Sequence, residues 1–197
     1  MLRTFRLQIN VRPLIALTAV LAMACPKAAA EDRAETHVKP FLVTGGGIAA
    51  KGVPTVPGTP APHWAIGHAT GLGRYYAQGT FKLLAYTGPT TATFSSASPC
   101  VFVAHNGDQL AFTYGDVTNH AKEPGQVQLF PVAGNKVVAR FVAEFNPSLP
   151  QCTGRFAKVV GGSVTMVAVT EPFVFGSTTP VRYRWAGAGS IEFGEDR

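Results

Sequence analysis

The sequence predicts an all-β domain behind an export signal, and three observations carry that prediction. From His63 onward, runs of alternating apolar and polar residues are separated by Gly, Pro and Asn, and no window repeats with the 3.6-residue period of a helix. The first 30 residues have the order of a secretory signal peptide. The 167 of 197 residues that remain are enough for one domain with a buried core.

Residues 1–30 form the predicted signal peptide. Three arginines precede the apolar run Leu14–Ala24, and Ala28–Ala30 supplies small residues at a cleavage site. A membrane-spanning helix needs roughly 20 apolar residues, so this run is too short to be an anchor, and no later run reaches that length. We therefore expect export to the periplasm or the extracellular space, without a transmembrane segment in the mature chain. The alternative is a lipoprotein anchored at Cys25, because the residues before it resemble a lipobox with its Leu displaced by one position.

Cleavage after Ala30 changes the charge of the protein. The full chain has a formal net charge of +6, but four of its 17 basic residues lie in the signal peptide. The mature part then has 13 basic and 11 acidic residues, without a basic stripe. Sustained attraction to nucleic acid or to anionic lipid requires such a stripe, so neither is a predicted partner.

Cys100 and Cys152 are the two cysteines of the mature part. In an oxidising compartment two cysteines usually pair, and closing a loop of about 50 residues is worth roughly 4 kcal/mol in the chain-entropy model. A metal site would need more Cys or His residues at ligand spacing, and neither cysteine has such a neighbour. The sequence therefore predicts a Cys100–Cys152 disulfide and no metal centre.

The mature N-terminal region is divided into three segments by its composition. Residues 31–39 are polar and are expected to be frayed, while residues 40–50 could form a short strand weakened by three consecutive glycines. Residues 51–62 contain four prolines, which remove backbone donors at short intervals. We expect this third segment to be an extended connector inside a β-barrel domain that spans residues 40–197.

Nine runs with strand character follow. They are residues 63–70, 74–86, 90–95, 100–106, 109–118, 125–133, 136–145, 162–170 and 181–193. Leu110, Phe112 and Tyr114 alternate with polar neighbours, and Asn106-Gly107 before them predicts a type I′ hairpin turn. Many short strands separated by turns predict a single antiparallel β-barrel of about eight strands, because closure removes exposed edges; a β-sandwich is the alternative.

The stretch Gly67–Gly79, GHATGLGRYYAQG, has the glycines of a phosphate-binding loop but not their spacing. A dinucleotide loop requires G-x-G-x-x-G between a strand and a helix, and the third glycine is missing after Gly71 and Gly73. The residues that follow alternate with a period of two, so no helix N-terminus is available to hold a phosphate. We interpret the stretch as a turn between two strands, and no cofactor is predicted.

Three short motifs give the chain a resemblance to a known group of proteins. GHATGLGRYYAQG resembles the A-T-H-L-G-[RK]-[FY] segment of a broad group of uncharacterised secreted bacterial β proteins; NGDQLAFTYGD (106–116) resembles its N-G-D-x-L hairpin, and TGRFAKVVGG (153–162) its T-G-R-F-x-x-x-x-G turn. The resemblance spans roughly residues 40–193. The group is similar in fold to the allene oxide cyclase and dirigent barrels, which implies an eight-stranded, calycin-like barrel. Its motif histidine is Gly71 here, so no role of that imidazole is carried over.

Charged and nucleophilic residues offer no catalytic pattern, so the catalytic residues remain unknown. Arg140 and Glu144 share a strand face with Lys136 and are expected to face solvent, because burying a charge is costly. The five histidines lack ligand spacing, and His63 and His68 fall on opposite faces of a strand. No serine lies in a G-x-S-x-G elbow.

Aromatic residues on apolar strand faces are the candidate ligand-binding residues, because a small barrel either fills with side chains or encloses one molecule. They are Phe81, Phe112, Tyr114, Phe141, Tyr183 and Trp185. The leading functional prediction is a secreted β-barrel protein that binds a small apolar or aromatic molecule. Two alternatives stay open. One is a cyclase or isomerase acting inside the barrel, since such chemistry can need little more than a shaped, dry pocket. The other is a structural, envelope-associated protein with a filled core.

Overall fold

The computed structural model describes residues 36–195; the predicted signal peptide and Cys25 lie outside the described residues. Within that range the chain forms nine strands and two short 3₁₀ helices. The strands are β1 (Thr36–Ala49), β2 (Pro60–Ala69), β3 (Gly73–Tyr86), β4 (Thr91–Ala104), β5 (Gln109–Tyr114), β6 (Gly125–Val132), β7 (Lys136–Pro147), β8 (Val159–Thr170) and β9 (Val181–Gly194), and the helices are Leu149–Gln151 and Gly154–Phe156. Neither helix has the length and hydrophobicity that crossing a membrane requires.

All nine strands belong to one antiparallel sheet whose pairings run in a ring. Consecutive strands pair from β1 to β4 and from β7 to β9, and β9 returns to β1 along 14 residue pairs, from Thr36 opposite Gly194 to Ala49 opposite Val181. Both β5 and β6 lie between β4 and β7, one after the other along these strands. The nine strands therefore occupy eight positions around the ring. The prediction of an all-β, antiparallel fold is confirmed.

The strands depart from the predicted runs at several places: β4 joins the predicted runs 90–95 and 100–106 into one strand, and β1, β2 and β8 begin earlier than predicted. β1 begins at Thr36, inside the segment expected to be frayed, because β9 pairs with it along its whole length. β2 begins at Pro60, inside the expected connector. The carbonyl of Pro62 accepts the N–H of Ala50 at 2.9 Å. Because the carbonyl and the nitrogen of one strand residue point to the same side, the missing N–H of Pro62 also faces the end of β1, where the ladder stops and no donor is needed. Proline on that edge leaves the pairing of β2 with β3 intact.

The glycine-rich stretch is a turn between β2 and β3, as predicted. Gly71 and Gly73 have positive φ, 76° and 67°, which glycine adopts without a steric cost. The hairpin between β4 and β5 differs from the prediction. Type I′ geometry needs positive φ at two central residues, and in this hairpin only Gly107 has it (87°). Its N–H donates to the carbonyl of Ala104, so a longer connection is built around that turn.

The two faces predicted for the strands are confirmed. Leu110, Phe112 and Tyr114 of β5 are almost completely buried, as are Tyr183 and Trp185 of β9. The charged residues predicted to point outward are exposed: Lys136, Arg140, Arg182 and Arg184. Large side chains fill the half of the ring that carries the β2–β3 and β4–β5 turns. The opposite half, which carries the β1–β2 connector and the β8–β9 loop, is called the cavity end below.

Candidate functional site

An apolar cavity occupies the ring at the cavity end. Its volume is about 80 Å³, and it is open to solvent on one side. The wall is almost wholly apolar and consists of inward-facing residues from eight of the nine strands, together with the start of the β1–β2 connector. Strand alternation brings these residues together, since every second residue of each strand points into the ring.

Five of the six predicted ligand-binding residues line this cavity. They are Phe81, Tyr114, Phe141, Tyr183 and Trp185. The sixth, Phe112, packs in the filled half, with ring centroids 5.8 Å from Phe41 and 5.5 Å from Phe102. Phe112 points the same way as Tyr114 but lies two residues further from the cavity end. Phe94, Phe145 and Met166 line the cavity as well and were outside the predicted set. Ligand binding by these residues stays a prediction.

His63 is the residue that sequence reasoning missed. It lines the cavity and is only 7% exposed, whereas His68 lies exposed on the opposite face of β2. The available signal was the period of two: Ala61, Ala65 and Ala69 are buried and share a face with His63. The expected strand began at residue 63 and so left out Ala61, and alternation alone did not show that this face of the strand points into the ring.

The imidazole of His63 contacts a tyrosine at each nitrogen. Nδ1 lies 3.0 Å from Tyr183 Oη, and Nε2 lies 3.1 Å from Tyr114 Oη. The Tyr183 hydroxyl donates its one proton to the carbonyl of Trp64 at 3.2 Å, so it accepts a hydrogen bond from Nδ1–H. Nε2 then accepts the proton of the Tyr114 hydroxyl. We call this chain of three side chains, Tyr114, His63 and Tyr183, the tyrosine–histidine relay.

Burial keeps the tyrosine–histidine relay neutral. Desolvation lowers the pKa of His63 to about 4 and raises the pKa values of Tyr114 and Tyr183 well above their ordinary value of 10.0. The reason is the same in each case, because a low-dielectric surrounding penalises the charged form. Near pH 7 all three side chains of the relay are therefore neutral and are joined by hydrogen bonds.

Two glycines of β1 make room for the rings around the relay. A Cβ on Gly45 would lie 2.5 Å from both Trp185 Nε1 and Tyr75 Oη, and a Cβ on Gly47 would lie 2.7 Å from Tyr183 Oη. The Trp185 indole donates to Tyr75 Oη at 2.8 Å. Two of the three glycines that weaken β1 by propensity, Gly45 and Gly47, are therefore required by the large side chains that lie beside them.

The β1–β2 connector, residues 50–59, covers part of the cavity mouth. Val53 is 3% exposed and belongs to the core, and Gly52 packs so closely against the ring of Phe173 from the β8–β9 loop that an added Cβ would lie 2.5 Å from it. Lys51, between the strand end and these two anchors, is part of the lining. It is the only described lining residue that carries a charge at neutral pH.

The charged residues of β7 lie outside the ring, in agreement with the sequence. Arg140 is exposed. Glu144 accepts the Ser163 hydroxyl at 2.6 Å and the Lys122 N–H at 3.1 Å, and the Ser163 bond is the main cause that lowers the pKa of this carboxyl. Among residues 36–195, no three His, Cys, Asp or Glu side chains gather at metal-ligand distances.

Cys100 and Cys152 are both free and buried, so the predicted disulfide is wrong. The two lie on opposite edges of β5. Cys100 of β4 pairs with Phe112 across one edge, whereas the segment 148–153 follows the other edge, where its N–H groups donate to carbonyls of β5. Two strand spacings of about 4.8 Å each exceed the Cα separation of about 7 Å that a disulfide allows. Sequence spacing does not reveal which edge of a strand a segment follows.

The three motifs behind the family resemblance meet at the end of the ring opposite to the cavity. Asp108 of the second motif accepts from Arg155 Nε of the third at 2.6 Å, and Arg155 Nη1 donates to the Gly71 carbonyl of the first at 3.0 Å. Asn106 also donates to Asp108 at 2.8 Å, and a Cβ on Gly154 would collide with that carboxylate. We call these contacts the three-turn clasp. It holds turns together and takes no part in the cavity.

The cavity and the tyrosine–histidine relay together form the candidate functional site. Comparisons with protein-family models, with curated proteins and with solved structures find no match to this chain.

Proposed function

We propose that the protein is an exported β-barrel that binds a small apolar or aromatic molecule in its interior. The observation that carries the proposal is the cavity, with a volume of about 80 Å³ and an almost wholly apolar wall. Protein cores are close-packed, and voids larger than a water molecule are few. Water is held only weakly in an apolar cavity. Binding of an apolar ligand is favourable there, because the ligand removes its apolar surface from water.

The ring of pairings supports the barrel. A sheet that closes on itself has no free edge, and eight strand positions give an interior just wide enough for side chains or one small ligand. The three motifs that resemble the secreted bacterial group support a calycin-like form. The signal-peptide pattern of residues 1–30 supports export.

The fluorescence of Trp185 tests the proposed binding, because Trp185 lines the cavity. In a Trp64→Phe background it is the only indole left. Titration with toluene is expected to change the emission of Trp185, and the change should saturate as the cavity becomes occupied. Ala168→Leu, which projects a larger side chain into the cavity, should abolish the response, and Ala186→Leu on the outer face of β9 should keep it. A response that survives Ala168→Leu unchanged would contradict binding at this site.

The tyrosine–histidine relay favours a second candidate function, a cyclase or isomerase. In a dry cavity, a neutral hydroxyl can polarise a carbonyl or epoxide oxygen of the substrate, and Tyr114 would do so by exchanging its hydrogen bond to His63 Nε2 for one to the substrate. Because the pKa of His63 is about 4 and that of Tyr114 is raised, neither group suits a general base at neutral pH. The test uses a molecule that copurifies with the protein, identified by mass spectrometry. Tyr114→Phe should stop its conversion and keep its affinity, whereas a binding protein returns it unchanged.

A further inference from the structure

The cavity has its charge at the mouth and none inside. Lys51 is the one charged residue among the described residues of the lining, and it makes no ion pair within the described part of the chain. Its backbone is held on both sides. The Ala50 N–H donates to the Pro62 carbonyl at 2.9 Å, and Val53 is buried in the core. These anchors hold the backbone of Lys51 at the rim of the cavity.

The interior does not accept a charged group. The three members of the tyrosine–histidine relay satisfy one another and the carbonyl of Trp64, and the rest of the wall is apolar. A carboxylate placed there would lose its hydration without a charged partner, which costs several kcal/mol. A ligand that carries an anionic head must therefore keep that head at the mouth.

The rim of the ring around Lys51 is also more basic than acidic. Lys136 and Arg182 lie near the beginnings of β7 and β9, at the same end of the ring, on the outer face. Glu171 follows β8 at this end and is outside the cavity lining. An approaching anion thus meets a positive rim, which raises the rate of encounter and favours this orientation.

We propose that the cavity takes small aliphatic carboxylates, with the hydrocarbon chain inside and the carboxylate at Lys51. This inference rests on the proposed function, and it names the ligand class. The volume of about 80 Å³ is close to half that of an apolar cavity of about 150 Å³ that encloses benzene, so a slender chain or a single ring fits only with one end at the open mouth, and a large ring system does not fit.

Hexanoate and hexanamide test the inference, because they share a chain and differ in charge. Wild-type protein is expected to bind hexanoate about threefold to tenfold more tightly than hexanamide at low salt, the range of a partly exposed ion pair. Added salt should reduce that ratio, since it screens the attraction. Lys51→Gln should bring the ratio to about one and keep the affinity for hexanamide. Lys39→Gln, a matched loss of an exposed charge near the start of β1 at the opposite end of the ring, should leave the ratio unchanged.

Each other outcome has a defined meaning. If wild-type protein binds both molecules equally, the carboxylate inference is wrong and the proposed function stands. If hexanoate is preferred and Lys51→Gln keeps the preference, another cation holds the head and the inference is again wrong. If neither hexanamide nor toluene binds, the proposed function fails, and the inference fails with it.

Discussion

Gly45 and Gly46 are neighbours on β1 and differ in what lies beside them. A Cβ on Gly45 would lie 2.5 Å from Trp185 Nε1 and 2.6 Å from the carbonyl oxygen of Ile66, whereas the nearest atom to a Cβ on Gly46 is 3.4 Å away. Gly45 belongs to the inward face of β1 and Gly46 to the outward face. Strand alternation therefore makes one glycine necessary and its neighbour replaceable.

Gly45→Ala is expected to lower the free energy of unfolding by about 2–3 kcal/mol, because the added methyl group forces a packed indole and the backbone of β2 apart. Gly46→Ala is the matched control and should stay within about 0.5 kcal/mol of wild type. Urea unfolding of the two variants measures the difference. Equal stability would mean that Trp185 and Tyr75 move aside without cost.

His63 is expected to make stability depend on pH. Its folded pKa of about 4 lies below the ordinary value of 6.5, so the unfolded chain takes up the proton first as the pH falls. Stability is then unaffected well above pH 6.5, declines between pH 6.5 and about pH 4, and levels off below. The full difference corresponds to about 3 kcal/mol.

Urea unfolding at pH 7.5 and pH 5 gives the measurement. Wild type should lose about 2 kcal/mol at the lower pH through this residue. His63→Gln keeps a donor and an acceptor but does not titrate, so its loss over the same interval should be smaller by that amount. An identical pH dependence in the variant would assign the effect to other groups.

At the scale of elements, the three-turn clasp joins turns that are far apart in the chain. Its charged member is Asp108, whose pKa is lowered first by the hydrogen bond from Arg155 and then by that from Asn106. A depressed folded pKa means that the contribution is present above the ordinary carboxyl value of 3.8 and is lost as the pH falls through the folded value. The clasp therefore stabilises the turns at neutral pH and releases them in acid.

Asp108→Asn is expected to lower the melting temperature at pH 7, and the gap to wild type should shrink below about pH 4. Glu123→Gln removes an exposed carboxylate elsewhere in the protein, and its melting temperature should match that of wild type at neutral and at acidic pH. Thermal melts across this pH range supply the comparison. A gap that stays constant down to pH 2 would show that the charge of Asp108 is not what holds the turns.

How much of the fold and of the site the sequence predicts depends on the element. β5, β7 and β9 have an apolar and a polar face, and their orientation followed directly. The start of β2 could not be predicted in this way. Prolines are tolerated in a strand only where the neighbouring strand has ended, and where it ends is decided by the tertiary structure. For the same reason, five cavity aromatics were predicted while His63 was missed. Its partners, Tyr114 and Tyr183, lie 51 and 120 residues away.

At the scale of the whole molecule, both cysteines report on global unfolding. Burial raises the pKa values of Cys100 and Cys152, and both side chains are at most 8% exposed. In protein produced without residues 1–30, a thiol reagent should therefore find no reactive cysteine in the native state and two in denaturant without reductant, because only an exposed thiolate reacts quickly. The melting temperature should be the same with and without reductant. If the denatured protein shows no free thiols, Cys100 and Cys152 are joined by a disulfide after all.

β5 and β6 share one position in the ring, and the strand pairing is interrupted between them. β4 pairs with β6 up to Phe94 and with β5 from Cys100, so residues 95–99 have no strand partner on that side. A side chain substitutes there, because the Ser96 hydroxyl accepts the N–H of Tyr114 at 3.2 Å. Seven positions of the ring hold one strand each, and the eighth holds two. The amides of residues 95–99 should therefore exchange with deuterium before those of the β1–β9 ladder.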